Sequence, residues 1–139
     1  LHTFNLLNDG VMEKIAKAFK LQPSEIAGAT LDAGTVKADG FSGPAEGKVA
    51  VGLTNPDGKV SYAYSANGIG FWIAADGTAS SWGDAPIYYE YDASGYGLTV
   101  GHNPGHSEKG KTYTIKPTMV YNKGGKLHKA VITIKMKFA

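Results

Sequence analysis

The chain contains no cysteine, so disulfides, thiolate metal sites and thiol nucleophiles are excluded. It contains no arginine either: all 14 basic residues are lysine. The planar fork with which arginine grips a phosphate or a guanine is therefore missing, and no nucleic-acid partner is expected. No apolar run approaches the roughly 20 residues that cross a bilayer as a helix, so no transmembrane segment is expected. The sequence opens on Leu1, with neither an initiator methionine nor a charged-then-apolar leader, which reads as a processed or excised domain. Surplus charge is small, with 14 basic against 12 acidic residues and a net charge of +2.

Glycine, by contrast, is abundant, with 19 residues in 139. These glycines follow no three-residue period, which excludes collagen. They stand beside Asp, Asn, Ser and Pro, where tight turns need a backbone of positive φ. A hydrophobic fraction of 42% is that of a globular protein. The length suits a single domain over residues 1–139 that buries a core without staples.

Periodicity divides the chain into a short helical part and a long β part. Val11, Met12, Ile15, Ala16 and Phe19 recur at helical spacing, with Glu13, Lys14, Lys17 and Lys20 on the wet side. Asn8 or Asp9 caps this segment, and Pro23 ends it, which predicts one short amphipathic helix at about residues 10–21. Residues 1–7 read as a strand. Residues 29–47 read as loop with a short strand near 35–37. From Lys48 onward, period-two alternation dominates. Val49, Val51 and Leu53 alternate before Asn55-Pro56-Asp57-Gly58, and Val60, Tyr62 and Tyr64 after it, the clearest hairpin in the sequence. Asp76-Gly77 closes a second hairpin, and Lys123 to Lys126 a third. In a last long strand Ala130, Ile132, Ile134, Met136 and Phe138 face one way, and Lys129, Thr133, Lys135 and Lys137 the other. Seven to nine short strands joined by turns predict a mainly β fold, an antiparallel β-sandwich carrying the one N-terminal helix, with a barrel as the less favoured alternative.

The aromatic and turn pattern of the central region resembles a bacterial domain-of-unknown-function family, number 4859. The matching features are Tyr64 with Asn67-Gly68, the pair Phe71-Trp72, Asp76-Gly77, Ser81-Trp82-Gly83, Gly101 with Pro104-Gly105, and Gly110 with Tyr113-Thr114. The likeness covers about residues 60–135. Where the family often has Gly-Gln-Tyr-Pro-Gly, this chain has Gly101-His102-Asn103-Pro104-Gly105. The resemblance implies an exported Bacteroidetes protein, an extracytoplasmic location (periplasmic, secreted or cell surface), and a neighbouring domain in a larger glycan-associated chain.

Reactive chemistry is thinly represented. His102 and His106 lie four apart, but Pro104 and two glycines forbid the helix that would make this a zinc pair, and no metal or other cofactor is expected. No nucleophile elbow surrounds Ser42, and Gly110-Lys111-Thr112 lacks the strand–loop–helix setting of a phosphate loop. Glu90 and Asp92 alternate onto one strand face about 7 Å apart, a separation that glycoside hydrolysis could use. Any wet strand face looks the same.

The flat side chains remain. Trp72, Trp82, Tyr88 and Tyr96 are candidates for stacking on a sugar ring, with His102 and Asn103 as polar partners for its hydroxyls. Phe71 and Trp72 must point to opposite faces of a strand, as must Tyr88 and Tyr89. The equally simple alternative places these rings in the core. The expectation is a non-catalytic module that binds a carbohydrate or a surface. The alternative is a structural spacer packed on a catalytic neighbour, and a distant third is a glycan-active enzyme using Glu90 and Asp92.

Overall fold

The computed structural model describes residues 2–5, 30–31, 46–62, 69–81, 83, 85–92 and 97–137. They form twelve strands: β1 (His2–Asn5), β2 (Thr30–Leu31), β3 (Lys48–Thr54), β4 (Val60–Tyr62), β5 (Ile69–Ile73), β6 (Ala79–Ser80), β7 (Ile87–Asp92), β8 (Gly97–His102), β9 (Thr112–Ile115), β10 (Pro117–Lys123), β11 (Lys126–Val131) and β12 (Ile134–Lys137). The fold is mainly β, and no helix occurs among the described residues. The helix expected at 10–21 and the strand expected near 35–37 lie outside those residues.

The first sheet runs β1-β8-β7-β5-β6, all antiparallel. The second runs β11-β10-β3, with β2 and β4 paired to the two ends of the remaining edge of β3. The β2–β3 pairing is parallel, unlike every other pair among the described residues, and the sequence pattern contained no sign of it. The third sheet is the pair β12-β9.

One long bent hairpin, β9–β10 against β11–β12, runs through the second and third sheets. Ile115 faces Ile134, Thr118 faces Val131, and Pro117 stands opposite Ile132, so a single register runs through both ladders. At the bend the Ile132 amide donates to the Pro117 carbonyl (2.8 Å). Proline has no N–H to return that bond, so the ladder is interrupted there. The last long strand expected from the sequence is thus two strands, β11 and β12. Its alternation nevertheless continues through the bend: Ala130 and Met136 are buried, Ile132 and Ile134 half-buried, and Lys129, Lys135 and Lys137 exposed.

Side chains from all three sheets meet in one apolar cluster. Tyr89, Ile73, Ile87, Leu98 and Val100 come from the first sheet, Val51, Leu53, Met119 and Tyr121 from the second, and Tyr113, Ile115 and Met136 from the third. Tyr89, Tyr113, Leu53, Ile73, Ile87 and Ile115 are among the largest fully buried side chains. Thr118 is buried as well, and its hydroxyl is satisfied by the Lys116 carbonyl (2.8 Å) and the Thr54 hydroxyl (2.7 Å).

Two Asp-Gly turns of one geometry shape the adjoining hairpins. In 55–59, the Gly58 amide donates to the Asn55 carbonyl (2.8 Å) and the Asn55 amide to the Lys59 carbonyl (2.9 Å). In 74–78, the Gly77 amide donates to the Ala74 carbonyl (2.9 Å) and the Ala74 amide to the Thr78 carbonyl (2.8 Å). Gly58 and Gly77 take φ of 87° and 95°, the left-handed region that such a bulged turn requires.

Candidate functional site

The outer face of the first sheet carries the clearest constellation. β5 and β7 are antiparallel neighbours, and their register sets Trp72 opposite Tyr88 and Phe71 opposite Tyr89. Because side chains alternate, the two pairs occupy opposite faces. Phe71 and Tyr89 stack at 5.3 Å on the core side, their planes 30° apart. Trp72 and Tyr88 meet on the other side, with centroids 5.3 Å apart and planes tilted by 58°, and both are half-buried.

β8 supplies the floor of this pair. Gly101 lies opposite Tyr88, and a Cβ added there would stand 2.6–2.7 Å from atoms of the Tyr88 ring. The ring therefore lies down over the β8 backbone, an approach that only glycine permits. Two residues along β7, exposed Glu90 faces Gly70 on one side and half-buried Thr99 on the other. The face thus offers two tilted rings, a carboxylate and a hydroxyl over a glycine-lined sheet. Such a surface can stack on an apolar ring face and accept hydrogen bonds from hydroxyls.

His102 and Asn103 sit elsewhere. Alternation turns His102 away from the Gly101 face; it is exposed, and its Nδ1 is 2.9 Å from the Ser107 hydroxyl. Asn103 bolts its loop to the segment before β7: its amide Nδ2 donates to the Ala85 carbonyl (3.0 Å), and its backbone N–H to the Pro86 carbonyl (2.7 Å). The loop is closed at its far end by the Glu108 amide, which donates to the Tyr113 hydroxyl (2.9 Å). His106 is exposed in the same loop. Among the described residues no group of three His, Asp or Glu side chains is placed to hold a metal ion. Trp82 and Tyr96 lie outside the described residues.

Of the six residues singled out from the sequence, the structure therefore brings Trp72 and Tyr88 together and sets His102 and Asn103 apart from them. It adds Gly101, Glu90 and Thr99. Gly101 carried a usable signal, since a glycine inside a strand often marks a close approach by another group. Which ring approaches it depends on register, and no local pattern encodes that.

No helix among the described residues is long and apolar enough to cross a membrane. No curated protein and no solved structure matches the chain. The family model described as Domain of unknown function (DUF4859) matches residues 4–126, which is most of the sequence, and the chain belongs to that family.

Proposed function

We propose that this protein is a non-catalytic carbohydrate-binding module that uses the Trp72–Tyr88 face as its platform. The observation that carries the reading is the Trp72–Tyr88 pair itself, held half-exposed on a rigid sheet while its mirror pair, Phe71–Tyr89, packs on the core side. A pyranose presents an apolar face of C–H bonds to such rings, and Glu90 and Thr99 stand within the same face to accept its hydroxyls. The first and second sheets contribute to one shared core, which supports the sandwich form of the fold. In this reading the module belongs to an exported Bacteroidetes protein, acts outside the cytoplasm and serves a neighbouring domain.

Affinity electrophoresis of the chain against neutral polysaccharides tests the proposal. Retention is expected, and Trp72→Ala and Tyr88→Ala are each expected to weaken it while thermal unfolding stays cooperative. Retention by no polysaccharide sinks the reading.

A second reading, a spacer that packs against a neighbouring domain, is favoured by one observation. Leu127 and Val131 on β11 are 47% and 40% exposed, on either side of Lys129 along one strand face. Under that reading Leu127→Ser leaves the isolated chain folded and abolishes its association with the adjoining domain.

A further inference from the structure

Charge is distributed very unevenly along this sequence. Residues 109–139 hold eight of the 14 lysines and none of the 12 acidic residues. The first 108 residues therefore carry six lysines against twelve carboxylates, and the near-neutral total hides a strongly basic C-terminal part. All eight of those lysines are exposed.

The third sheet arranges part of this charge in order. On β9 and β12, Tyr113, Ile115, Ile134 and Met136 turn toward the core. The alternate positions are exposed and form three successive cross-strand rows. Lys137 faces Thr112, Lys135 faces Thr114, and the register carried through the bend sets Thr133 beside Lys116. Each row pairs one ammonium with one hydroxyl. Successive rows are about 7 Å apart, the rise of two strand residues. Lys111, next to the first row, lies with its Nζ 5.5 Å from the Tyr113 ring centroid.

We propose that this Lys/Thr face binds an acidic polysaccharide, a chain bearing carboxylates or sulfates at regular intervals. Like charges repeated along one strand repel each other, and a polyanion laid along the rows removes that repulsion while the threonine hydroxyls donate to its oxygens. The chemistry of the face favours a polysaccharide over other polyanions. Single-stranded nucleic acid is held by exposed aromatic rings and by arginine, and these rows present neither. A membrane surface would be met by exposed apolar side chains, and the outward positions are Lys and Thr only. This site is separate from the Trp72–Tyr88 platform and does not depend on it.

The test is titration of the whole chain with a polyuronate, a sulfated dextran, a neutral dextran and single-stranded DNA, at salt from about 0.05 M to about 0.5 M, where screening changes most. Binding to the two acidic polysaccharides is expected at low salt, weakening as salt rises. The double substitution Lys135→Ala/Lys137→Ala is expected to weaken it about tenfold and to reduce the salt slope by roughly two. Lys116→Ala, a milder change between β9 and β10, is expected to act in the same direction, and it serves if the double variant fails to fold. Lys123→Ala/Lys126→Ala removes equal charge from the β10–β11 turn and is expected to leave binding nearly intact. Three results overturn the proposal: no binding to either acidic polysaccharide at low salt, equal weakening by the two double variants, or DNA bound as tightly as the polysaccharides.

Discussion

The hydroxyl of Tyr89, on β7, donates a hydrogen bond to the carbonyl oxygen of Gly52, on β3. This bond ties the first sheet to the second through the middle of the core, and both residues are buried. Tyr89→Phe is expected to lower unfolding free energy by about 1–2 kcal/mol, because the deletion removes a buried donor and leaves its acceptor less satisfied. Urea denaturation measures this. Burial pushes the Tyr89 hydroxyl well above its ordinary pKa, with the Thr118 backbone amide acting in the opposite direction. A raised folded-state pKa means stability that is full below the unfolded value of about 10 and is lost as pH climbs through the folded value. The phenylalanine variant is expected to lose less stability over that alkaline range than the parent protein.

Asn55 joins the two Asp-Gly hairpins to each other. Its Nδ2 donates to the Lys59 carbonyl (2.9 Å) and the Ser61 hydroxyl (2.8 Å), while its Oδ1 accepts from the Ala79 amide (2.8 Å) on β6 of the other sheet. Asn55→Ala strips the Ala79 amide of this partner and is expected to cost about 1–3 kcal/mol. Hydrogen exchange is the sharper readout. The Ala79 amide is expected to exchange faster by a factor larger than the global loss of stability explains.

Asp76 carries a pH signature of the second turn. The Thr78 backbone amide donates to its Oδ1 (2.9 Å), and together with the Thr78 side chain this holds the carboxyl below its ordinary pKa. A lowered folded-state pKa means that the unfolded chain binds more protons in this range, so stability rises with pH. The contribution is complete above the unfolded value of about 3.9 and disappears as pH falls through the folded one. Asp76→Asn is expected to flatten this part of the acid limb in a melting-temperature series.

Gly101→Ala separates the platform from the fold. The new Cβ would collide with the far end of the Tyr88 ring, a side chain that can swing outward, and not with backbone. Stability is expected to change by less than about 1 kcal/mol. If the Trp72–Tyr88 pair binds sugar, affinity for the neutral polysaccharide falls with this substitution, and the fluorescence of the chain shifts as the rings separate. Unchanged affinity alongside a displaced Tyr88 ring would remove the platform from the mechanism.

Several of these features were legible before any coordinates. Asp57-Gly58 and Asp76-Gly77 announce their turns, because only glycine adopts the left-handed backbone there without strain. Phe71 against Trp72, and Tyr88 against Tyr89, had to face opposite ways on a strand, and they do. The break of the last expected strand into β11 and β12 was not read from the sequence: it depends on Pro117, which lacks an N–H, standing opposite Ile132 in the ladder. The roles of His102 and Asn103 were not legible. One depends on which face the end of β8 presents, and the other on a carbonyl 18 residues away in sequence.

By itself, the sequence determined the strand periodicity, the inward-facing side chains at positions such as Ala130 and Met136, and the places where the chain turns. These follow from backbone geometry within a few residues. The tertiary structure decided which strands lie side by side. That choice placed Tyr88 over Gly101, joined Tyr89 to Gly52 and set Lys116, just past β9, on one face with Lys135 and Lys137 of β12. Register and partner depend on how distant segments share one core, and the free energy of that sharing belongs to the whole chain rather than to any stretch of it.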